Sequence, residues 1–196
     1  MIYEIRTYRL KPGSLPEVEK RFGEAYEYRK KYSALAAFWH TEIGPLNEII
    51  HIWPYQDVAD RVRVRADAMK DANWPPKIQE FITKMRSEII TPFPFASNMN
   101  PGTWGPYYEI RYYNVRPGTM PDVMRRWESK ISERAKLSPV MLAGGVDTGE
   151  ANGFVHIWAY KSLDERIAIR NQARAQGVWP PPGGADSLLA LDDSLF

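Results

Sequence analysis

Two histidines stand in matching sequence contexts and are the clearest candidates for proton-transfer chemistry. His51 opens the run His-Ile-Trp, and His156 opens the same run later in the chain. Histidine exchanges a proton near neutral pH when a cavity holds it. A strand histidine more commonly hydrogen-bonds a neighbouring carboxylate or backbone group, so a structural role is the alternative.

Two acid–arginine couples could bind an anion. Glu4 and Arg6, like Glu109 and Arg111, stand two residues apart, which places both side chains on one face of a strand. The planar guanidinium group of Arg6 or Arg111 would suit the oxygens of a carboxylate or an enolate. A purely structural ion pair within each couple is the alternative that we favour.

Aromatic, amide and glycine residues complete a predicted ligand pocket. A tyrosine hydroxyl can donate to a polar ligand and an indole ring can stack on a flat one, although both more often complete a core. The predicted pocket comprises Glu4, Tyr8, Asn47, Trp53, Tyr55, Glu109, Tyr113, Gly144, Gly145, Asn152, Trp158 and Tyr160.

The composition excludes several kinds of site. The 196 residues include no cysteine, so disulfides, thiolate nucleophiles and cysteine-bound zinc or iron–sulfur clusters are ruled out. The three histidines do not form a metal-ligand pattern. Glycine-rich phosphate loops and nucleophile elbows are missing as well. We therefore expect neither a metal nor another cofactor.

Charge and hydropathy limit the expected partners and location. The formal net charge is +2, and acidic and basic residues are mixed along the chain, so no nucleic-acid surface is indicated. No stretch approaches the roughly 20 apolar residues of a spanning helix, and the charged start Met1–Arg6 is unlike a signal peptide. The sequence predicts a soluble cytoplasmic protein without a membrane or nucleic-acid partner.

The chain is an internal duplication. Tyr3-Glu4-Ile5-Arg6 recurs 105 residues later as Tyr108-Glu109-Ile110-Arg111, and the same offset aligns Trp74-Pro75-Pro76 with Trp179-Pro180-Pro181. Units of about 100 residues have the size of small domains. We predict a first unit over residues 1–96, a linker over 97–106 and a second unit over 107–196, in which the last strand is in doubt.

Each unit has the pattern of a ferredoxin-like β-α-β-β-α-β fold. In the first unit, alternation predicts strands over 3–10, 36–43 and 48–55 and an edge strand near 88–93, before a proline-rich connector over 91–106. Helices are predicted over about 14–32 and 57–71, with a short helix after Trp74-Pro75-Pro76.

The first helix of each unit has an N-terminal capping signal. Ser14 precedes Glu17 by three residues, and Thr119 precedes Asp122 by the same spacing. This spacing is typical of a capping box, in which the hydroxyl accepts a hydrogen bond from a backbone N–H of the first turn. We expect Ser14 and Thr119 to cap their helices.

The third strand has two dissimilar faces, and this difference predicts a cavity. Ile50, Ile52 and Pro54 form an aliphatic face that we expect to pack on helices. The other face carries His51 and Trp53, and it is too aromatic for water and too polar for a dry core. We expect it to face a second sheet across a lined cavity. The predicted fold class is α+β, with two units whose antiparallel sheets pair as a barrel within one chain.

The two copies differ at one place on the second strand. Trp39-His40 of the first unit aligns with Gly144-Gly145 of the second. We hypothesise that the glycines open the second unit to a ligand, whereas Trp39 and His40 fill the first.

The chain resembles the NIPSNAP family of the dimeric α/β-barrel superfamily. The resemblance rests on residues 3–8 with Pro12-Gly13 and, most specifically, on residues 44–55, whereas the second unit departs at Glu150-Ala151. It implies two ferredoxin-like units that form an internal pseudo-dimer. The superfamily includes cofactor-independent monooxygenases, isomerases and haem enzymes, so the resemblance implies no single reaction.

Three functions remain as alternatives. The first is a cofactor-independent monooxygenase or isomerase, with His51 or His156 as proton-transfer group and Arg6 or Arg111 as anion stabiliser. The second is a non-catalytic binding or protein-interaction module. The third, haem binding or degradation, is disfavoured because all three histidines fall on predicted strands, whereas the haem-binding relatives ligate from a helix. Two chains could also pair as a homodimer.

Overall fold

The chain folds into two compact units, residues 1–90 and 91–196. The structure is a computed structural model that describes residues 1–97, Met99 and residues 104–190. The predicted linker over 97–106 lies mostly outside the described residues. Each unit is described by itself below.

Unit 1 has the predicted order of elements. They are β1 (Ile2–Leu10), α1 (Leu15–Arg29), β2 (Ala37–His40), β3 (Glu48–Tyr55), α2 (Val58–Ala68), a 3-10 turn (Gln79–Phe81) and β4 (Ile82–Ser97). Within the unit, the strands lie in the order β2-β3-β1-β4 and their pairings are antiparallel. Because β1 is central, it aligns Arg6 with His51 on one side and with Ser87 on the other.

Unit 2 repeats this order. Its elements are β5 (Tyr107–Val115), α3 (Met120–Ala135), β6 (Val140–Thr148), β7 (Gly153–Tyr160), α4 (Leu163–Ala175), a 3-10 turn (Gly184–Ser187) and β8 (Leu188–Ala190). The strand order is β6-β7-β5-β8, again antiparallel. The doubtful last strand is therefore present as a short strand on β5, and residues 191–196 lie outside the described part of the chain. The ferredoxin-like pattern of both units is confirmed.

The helices cover the opposite sheet face from the one predicted. In unit 1 the ring of Phe22 on α1 lies 5.1 Å from the ring of His51, and in unit 2 Trp127 on α3 lies 4.8 Å from His156. The aromatic face, and not the aliphatic face, thus packs on the helices. The aliphatic residues Ile52 and Ile157 are fully buried too. Because both faces exclude water, the alternation on the strand could not tell which one the helices cover.

The predicted capping boxes are wrong. The Ser14 hydroxyl donates to the Lys11 carbonyl at 2.7 Å, and the Thr119 hydroxyl donates to the Arg116 carbonyl at 2.7 Å. Both N-cap residues have helical backbone angles, whereas a cap side chain needs an extended backbone to reach the N–H groups of the first turn. Each hydroxyl therefore binds a carbonyl of the turn before its helix and not an N–H of the first helical turn.

Side-chain caps are found at the second helix of each unit instead. Asp57 accepts a hydrogen bond from the Asp60 backbone N–H at 2.8 Å, and Ser162 accepts one from the Glu165 N–H at 3.0 Å. Both cap residues have the extended backbone that lets the side chain reach over the first turn. These caps fix where α2 and α4 begin, next to the strands that they follow.

Other predicted bounds need smaller corrections. The strand predicted over 36–43 is only β2 (Ala37–His40), and α1 ends at Arg29. The first part of the predicted connector, residues 91–97, belongs to β4. Prolines at 92 and 94 did not end this strand, since proline is tolerated where its missing N–H is not needed by a neighbouring strand. Within the described residues, no helix is both long and apolar enough to cross a membrane.

Removal of the Ser162 cap should destabilise the fold measurably. We expect Ser162→Ala to lower the free energy of unfolding by about 1 kcal/mol, because the Glu165 N–H loses its acceptor. Urea unfolding followed by circular dichroism measures the change. Ser129→Ala is the control, since this exposed serine lies inside α3 and contacts only a helix carbonyl. An equal loss in both variants would contradict the capping role.

Candidate functional site

A buried carboxylate holds three arginines in unit 1. Glu4 on β1 is fully buried, and its Oε1 accepts hydrogen bonds from Arg6 at 2.7 Å and from Arg61 of α2 at 2.7 Å. Ser87 of β4 donates to the same oxygen at 2.7 Å, and Arg65 of α2 lies 3.6 Å from Oε2. The predicted Glu4–Arg6 ion pair is present and is one part of a larger cluster that ties α2 to the sheet.

Unit 2 contains the same cluster around Glu109. Arg166 of α4 donates to Glu109 Oε1, Arg111 donates to it at 3.2 Å, and Arg170 of α4 lies 3.6 Å away. The Tyr160 hydroxyl donates to Glu109 Oε2 at 3.4 Å. Three guanidinium groups thus surround one carboxylate, so this part of the unit has an excess of positive charge.

The arginines keep the buried carboxylates ionised. Burial by itself would raise the pKa of Glu4, but hydrogen bonds from Arg61 and Ser87 and the charges of Arg6 and Arg65 outweigh it and lower the pKa from 4.5 to about 2. The pKa of Glu109 is lowered by Arg166, Arg111 and Arg170 against the same opposing effect of burial. Both groups are permanent anions near neutral pH and cannot serve as general acids there.

Each candidate histidine accepts a hydrogen bond from the tryptophan two residues later. The Trp53 indole N–H donates to His51 Nδ1 at 2.6 Å, and the Trp158 N–H donates to His156 Nδ1 at 2.7 Å. An indole nitrogen can only donate, so Nδ1 carries no proton in either ring. The neutral ring must then carry its proton on Nε2.

Burial and neighbouring arginines hold both histidines neutral. Burial and the charge of Arg6 lower the pKa of His51 from 6.5 to about 3. Burial and the charge of Arg111, with Arg170 and Arg134, place the pKa of His156 well below its ordinary value. A ring with so low a pKa is a poor proton acceptor near pH 7. The proton-transfer role stays a prediction that this environment disfavours, because each ring presents an Nε2–H hydrogen-bond donor.

Two buried arginines were missed from the sequence. Arg29 on α1 lies 4.4 Å above the Trp53 ring, and Arg134 on α3 lies 4.2 Å above the Trp158 ring. Arg29 donates to the Tyr55 hydroxyl at 3.4 Å, and Arg134 donates to the Tyr160 hydroxyl at 3.2 Å. Both arginines are only 2% exposed. The sequence signal that could have identified them is the repeat itself, because Arg29 and Arg134 align at the offset of 105 residues.

Unit 2 contains a cavity of about 740 Å³, partly open to solvent, between its sheet and its helices. The walls come from β5, β7, α3, α4 and the segment that follows α4. They are lined by Arg111, Tyr113, Val123, Arg126, Trp127, Arg134, Phe154, His156, Trp158, Tyr160, Arg170, Arg174, Trp179, Pro180, Pro181, Pro182, Gly183, Gly184 and Leu188. The lining thus combines aromatic rings with arginines, and none of these residues is acidic.

The cavity brings five predicted site residues together. These are Arg111, Tyr113, His156, Trp158 and Tyr160. Arg111 donates to the Tyr113 hydroxyl at 2.7 Å, and the Tyr113 ring stacks on His156 with centroids 5.4 Å apart. Their counterparts Arg6 and Tyr8 make the same hydrogen bond in unit 1 at 2.8 Å.

Other predicted pocket residues lie elsewhere. Asn47 and Asn152 adopt positive φ angles of 60° and 56° in the hairpin turns, a conformation that asparagine tolerates. Gly144 and Gly145 are not among the described residues that line the cavity. A Cβ added at Gly145 would meet the Met120 side chain of α3 at 3.5 Å, and His40 pairs with Glu19 at 2.8 Å. The hypothesis that these glycines open the second unit to a ligand stays a prediction, and they do not line this cavity.

The described residues offer no cluster of three or more histidine, aspartate or glutamate side chains that could hold a metal ion. The lining of the unit 2 cavity supplies hydrogen-bond donors and aromatic rings instead. These groups suit an organic ligand with oxygen atoms.

A family model described as NIPSNAP matches residues 3–97 and 108–182. The chain belongs to the NIPSNAP family. The two matched ranges correspond to the two units, so the NIPSNAP pattern occurs twice in this chain.

Named relatives and solved structures extend this result. The chain is 28% identical over 189 residues to a NipSnap homologue of Dictyostelium discoideum, covering 91% of this chain and 78% of the relative. It is 28% identical over 180 residues to human NipSnap homologue 3A, and this match covers 88% of this chain and 72% of the relative. A putative monooxygenase of Fusobacterium nucleatum matches with a TM-score of 0.62 over 96% of this chain and 88% of that one. At 10% identity, this last likeness shows the fold alone.

Neutralisation of Glu4 should destabilise this NIPSNAP chain in a pH-dependent way. The pKa of Glu4 falls on folding, so its stabilisation is complete above about 4.5 and is lost as the pH falls toward 2. The shift from 4.5 to about 2 corresponds to roughly 3 kcal/mol. We expect Glu4→Gln to lower the free energy of unfolding by about this amount at pH 7, and by less in acid.

Urea unfolding across this pH range measures the effect. Glu133→Gln is the control, because Glu133 forms an exposed pair with Lys136 and should change little. A Glu4→Gln penalty that stays constant down to acid pH would contradict the charge-based explanation.

The two buried histidines should remain neutral in mild acid. We expect the ¹⁵N chemical shifts of His51 and His156 to report the Nε2–H tautomer and to stay unchanged from about pH 8 to about pH 5, because burial and arginines oppose the imidazolium. Trp53→Phe and Trp158→Phe remove the indole donor and should relax the tautomer preference. Protonation of either ring within that range in the unmodified protein would disprove the assignment.

Proposed function

We propose that unit 2 of this NIPSNAP chain binds a small, flat organic molecule in its cavity. The observation that carries the proposal is a volume of about 740 Å³ whose walls include the rings of Trp127, Trp158 and Trp179 together with arginine donors. Sites of this size with aromatic walls and a few polar groups are typical for small ligands.

The indole rings offer surfaces on which a flat ligand can stack. Trp127 and Trp179 pack edge to face with centroids 4.6 Å apart, and Trp158 lies 5.7 Å from Trp179. Arg134 lies over the Trp158 ring at 4.2 Å from its centroid, and this cation–π contact holds the ring in place. Rigid rings lose little conformational entropy when a ligand binds.

The polar lining favours a ligand oxygen that carries negative charge. His156 has only Nε2–H left for a ligand, since its Nδ1 accepts from Trp158. Arg111 supplies further donors beside it, in register across the β5–β7 pair. Donors held in fixed positions stabilise an oxyanion such as an enolate.

This arrangement supports isomerase or cofactor-independent monooxygenase chemistry better than base catalysis by histidine. In this proposal Arg111 and His156 stabilise the anion, and the proton that leaves the substrate carbon passes to water or a buffer base. A non-catalytic binding module has the same cavity and differs only in turnover. Phenylpyruvate in deuterated buffer separates the two, because accelerated exchange at its enolisable carbon reports enolate stabilisation.

Location and assembly stay predictions. We retain the expectation of a cytoplasmic protein whose ligand is a small molecule, and of chains that pair as homodimers. Native mass spectrometry of the purified protein reports chain pairing and any co-purified molecule together. Haem as that molecule would give a Soret band and would favour the third alternative.

Replacement of a cavity tryptophan should weaken binding of a flat probe. We expect Trp158→Phe to weaken the binding of naphthoate or naphthamide by about three- to tenfold, since the ring loses stacking area. Isothermal titration calorimetry measures the affinity. Trp53→Phe is the matched control, because it removes the equivalent indole from unit 1 and also breaks a tryptophan–histidine hydrogen bond. Failure of both probes to bind the unmodified protein would refute the proposed function.

A further inference from the structure

We propose that Gly184 sets the length of the ligand that the cavity of unit 2 accepts, by leaving room for a second ring beyond the polar end of the ligand. This inference rests on the proposed function and adds the size class of the ligand and the residue that determines it. It is drawn from a comparison of the two units, in which backbone hydrogen bonds align the segments that follow the second helix.

The two segments correspond with a shift of one residue. The Arg21 guanidinium donates to the Lys77 carbonyl at 2.6 Å, and its counterpart Arg126 donates to the Gly183 carbonyl. Gly183 thus stands at the place of Lys77, one residue further along than the repeat offset of 105 residues would put it. Unit 2 therefore carries one extra residue, Pro182, before this point.

A second pair of contacts agrees with this correspondence. The Ile78 N–H donates to the Pro76 carbonyl at 3.0 Å, and the Gly184 N–H donates to the carbonyl of the matching Pro181 at 3.3 Å. Gly184 is therefore the counterpart of Ile78. The sec-butyl side chain of unit 1 has no equivalent in unit 2.

A neighbouring position has lost a ring. Phe81 and Ser187 correspond, because the carbonyl of each accepts a hydrogen bond at 2.8 Å from the residue that follows the first strand of its unit. The guanidinium carbon of Arg21 lies 5.0 Å from the centre of the Phe81 ring. Arg126 instead donates to the Ser187 hydroxyl at 2.9 Å. A small polar side chain thus replaces a benzyl group beside an arginine that lines the cavity.

In unit 1 the corresponding space is filled from within. Ile78 is 3% exposed and belongs to one hydrophobic cluster with Val18 and Trp53. Their counterparts Val123 and Trp158 line the cavity of unit 2. The same walls thus pack on an isoleucine side chain in unit 1 and face open space in unit 2.

Gly184 could carry a larger side chain. It lines the cavity, and a Cβ added there would meet no described atom within 4 Å beyond its chain neighbours. Its φ lies outside the left-handed region, unlike the φ of 69° at Gly183. Neither the backbone nor close packing therefore requires a glycine at this position. What the glycine provides is room.

The polar groups of the cavity lie on a different wall from Gly184. Arg111 and His156 are on the sheet, whereas Gly184 opens the 3-10 turn after α4. The Trp127 ring connects the two walls, since its centroid lies 4.8 Å from that of His156 and 4.6 Å from that of Trp179. A ligand whose polar end binds at the sheet extends its second ring along Trp127 toward Gly184.

Probes of two lengths test this assignment by isothermal titration calorimetry on the full chain. Benzoate and naphthoate share a carboxylate and differ by one fused ring. We expect naphthoate to bind at least about tenfold more tightly, because its second ring buries further apolar surface. Gly184→Ile, which installs the residue of unit 1, should remove this advantage by weakening naphthoate about tenfold and leaving benzoate within about twofold. Benzamide and naphthamide should show the same pattern, since the ring and not the charge is read.

Gly23→Ile is the matched control. Gly23 lies on α1 of unit 1, and a Cβ there also meets no atom within 4 Å, so both affinities should stay unchanged. Gly184→Ala and Gly184→Val extend the series with smaller side chains, and the loss for naphthoate should grow with side-chain size. Urea unfolding verifies that each variant is folded, and the two smaller variants decide the matter if Gly184→Ile is not.

The outcomes separate this inference from the function on which it rests. Equal affinity for the short and the long probe would overturn the role of Gly184 while the proposed cavity function stands. An unchanged affinity for naphthoate in the folded Gly184 variants, or an equal loss for both probe lengths, would overturn it too. Failure of naphthoate and naphthamide alike to bind the unmodified protein would overturn the proposed function, and this inference with it.

Discussion

The buried glutamate on the central strand of each unit is the constraint on which the rest of the site depends. A carboxylate that is fully removed from water must be paired, and Glu4 is paired by Arg6 of its own strand and by Arg61 and Arg65 of α2. The helix is therefore fastened to the sheet by charge as well as by packing. Ser87 extends the same cluster to the neighbouring strand.

The arginines recruited by this carboxylate also decide the state of the histidine. Arg6 lies in register with His51, and Arg111 lies in register with His156. Their positive charges add to burial and keep the rings neutral, while an indole N–H occupies Nδ1. The result is a fixed Nε2–H donor next to guanidinium groups. Such a site can stabilise negative charge on a ligand, although it lacks a base of ordinary strength.

The two units have kept this inner framework and changed what surrounds it. Phe38 lies opposite His51, whereas Ala143 lies opposite His156 in the equivalent register. Trp127 stands on α3 where unit 1 has Phe22 on α1, so aromatic volume has moved from the sheet to the helix. The two units thus share one fold and differ in the aromatic side chains that surround the histidine.

The sequence by itself determined the duplication, the order of strands and helices, and the Glu4–Arg6 and Glu109–Arg111 pairs, because these depend on local periodicity and on residues two apart on one strand. It also indicated that the third strand of each unit has one aromatic face. Only the tertiary structure decided that the helices cover that face, since both faces are apolar enough to be buried. It also decided that Arg61 and Arg65 reach Glu4, that a tryptophan fixes each histidine tautomer, and that Arg134 lies over the Trp158 ring. The arginine contacts join residues far apart in the chain, and the tryptophan–histidine bonds depend on side-chain orientation. Both are set by packing, which periodicity alone does not encode.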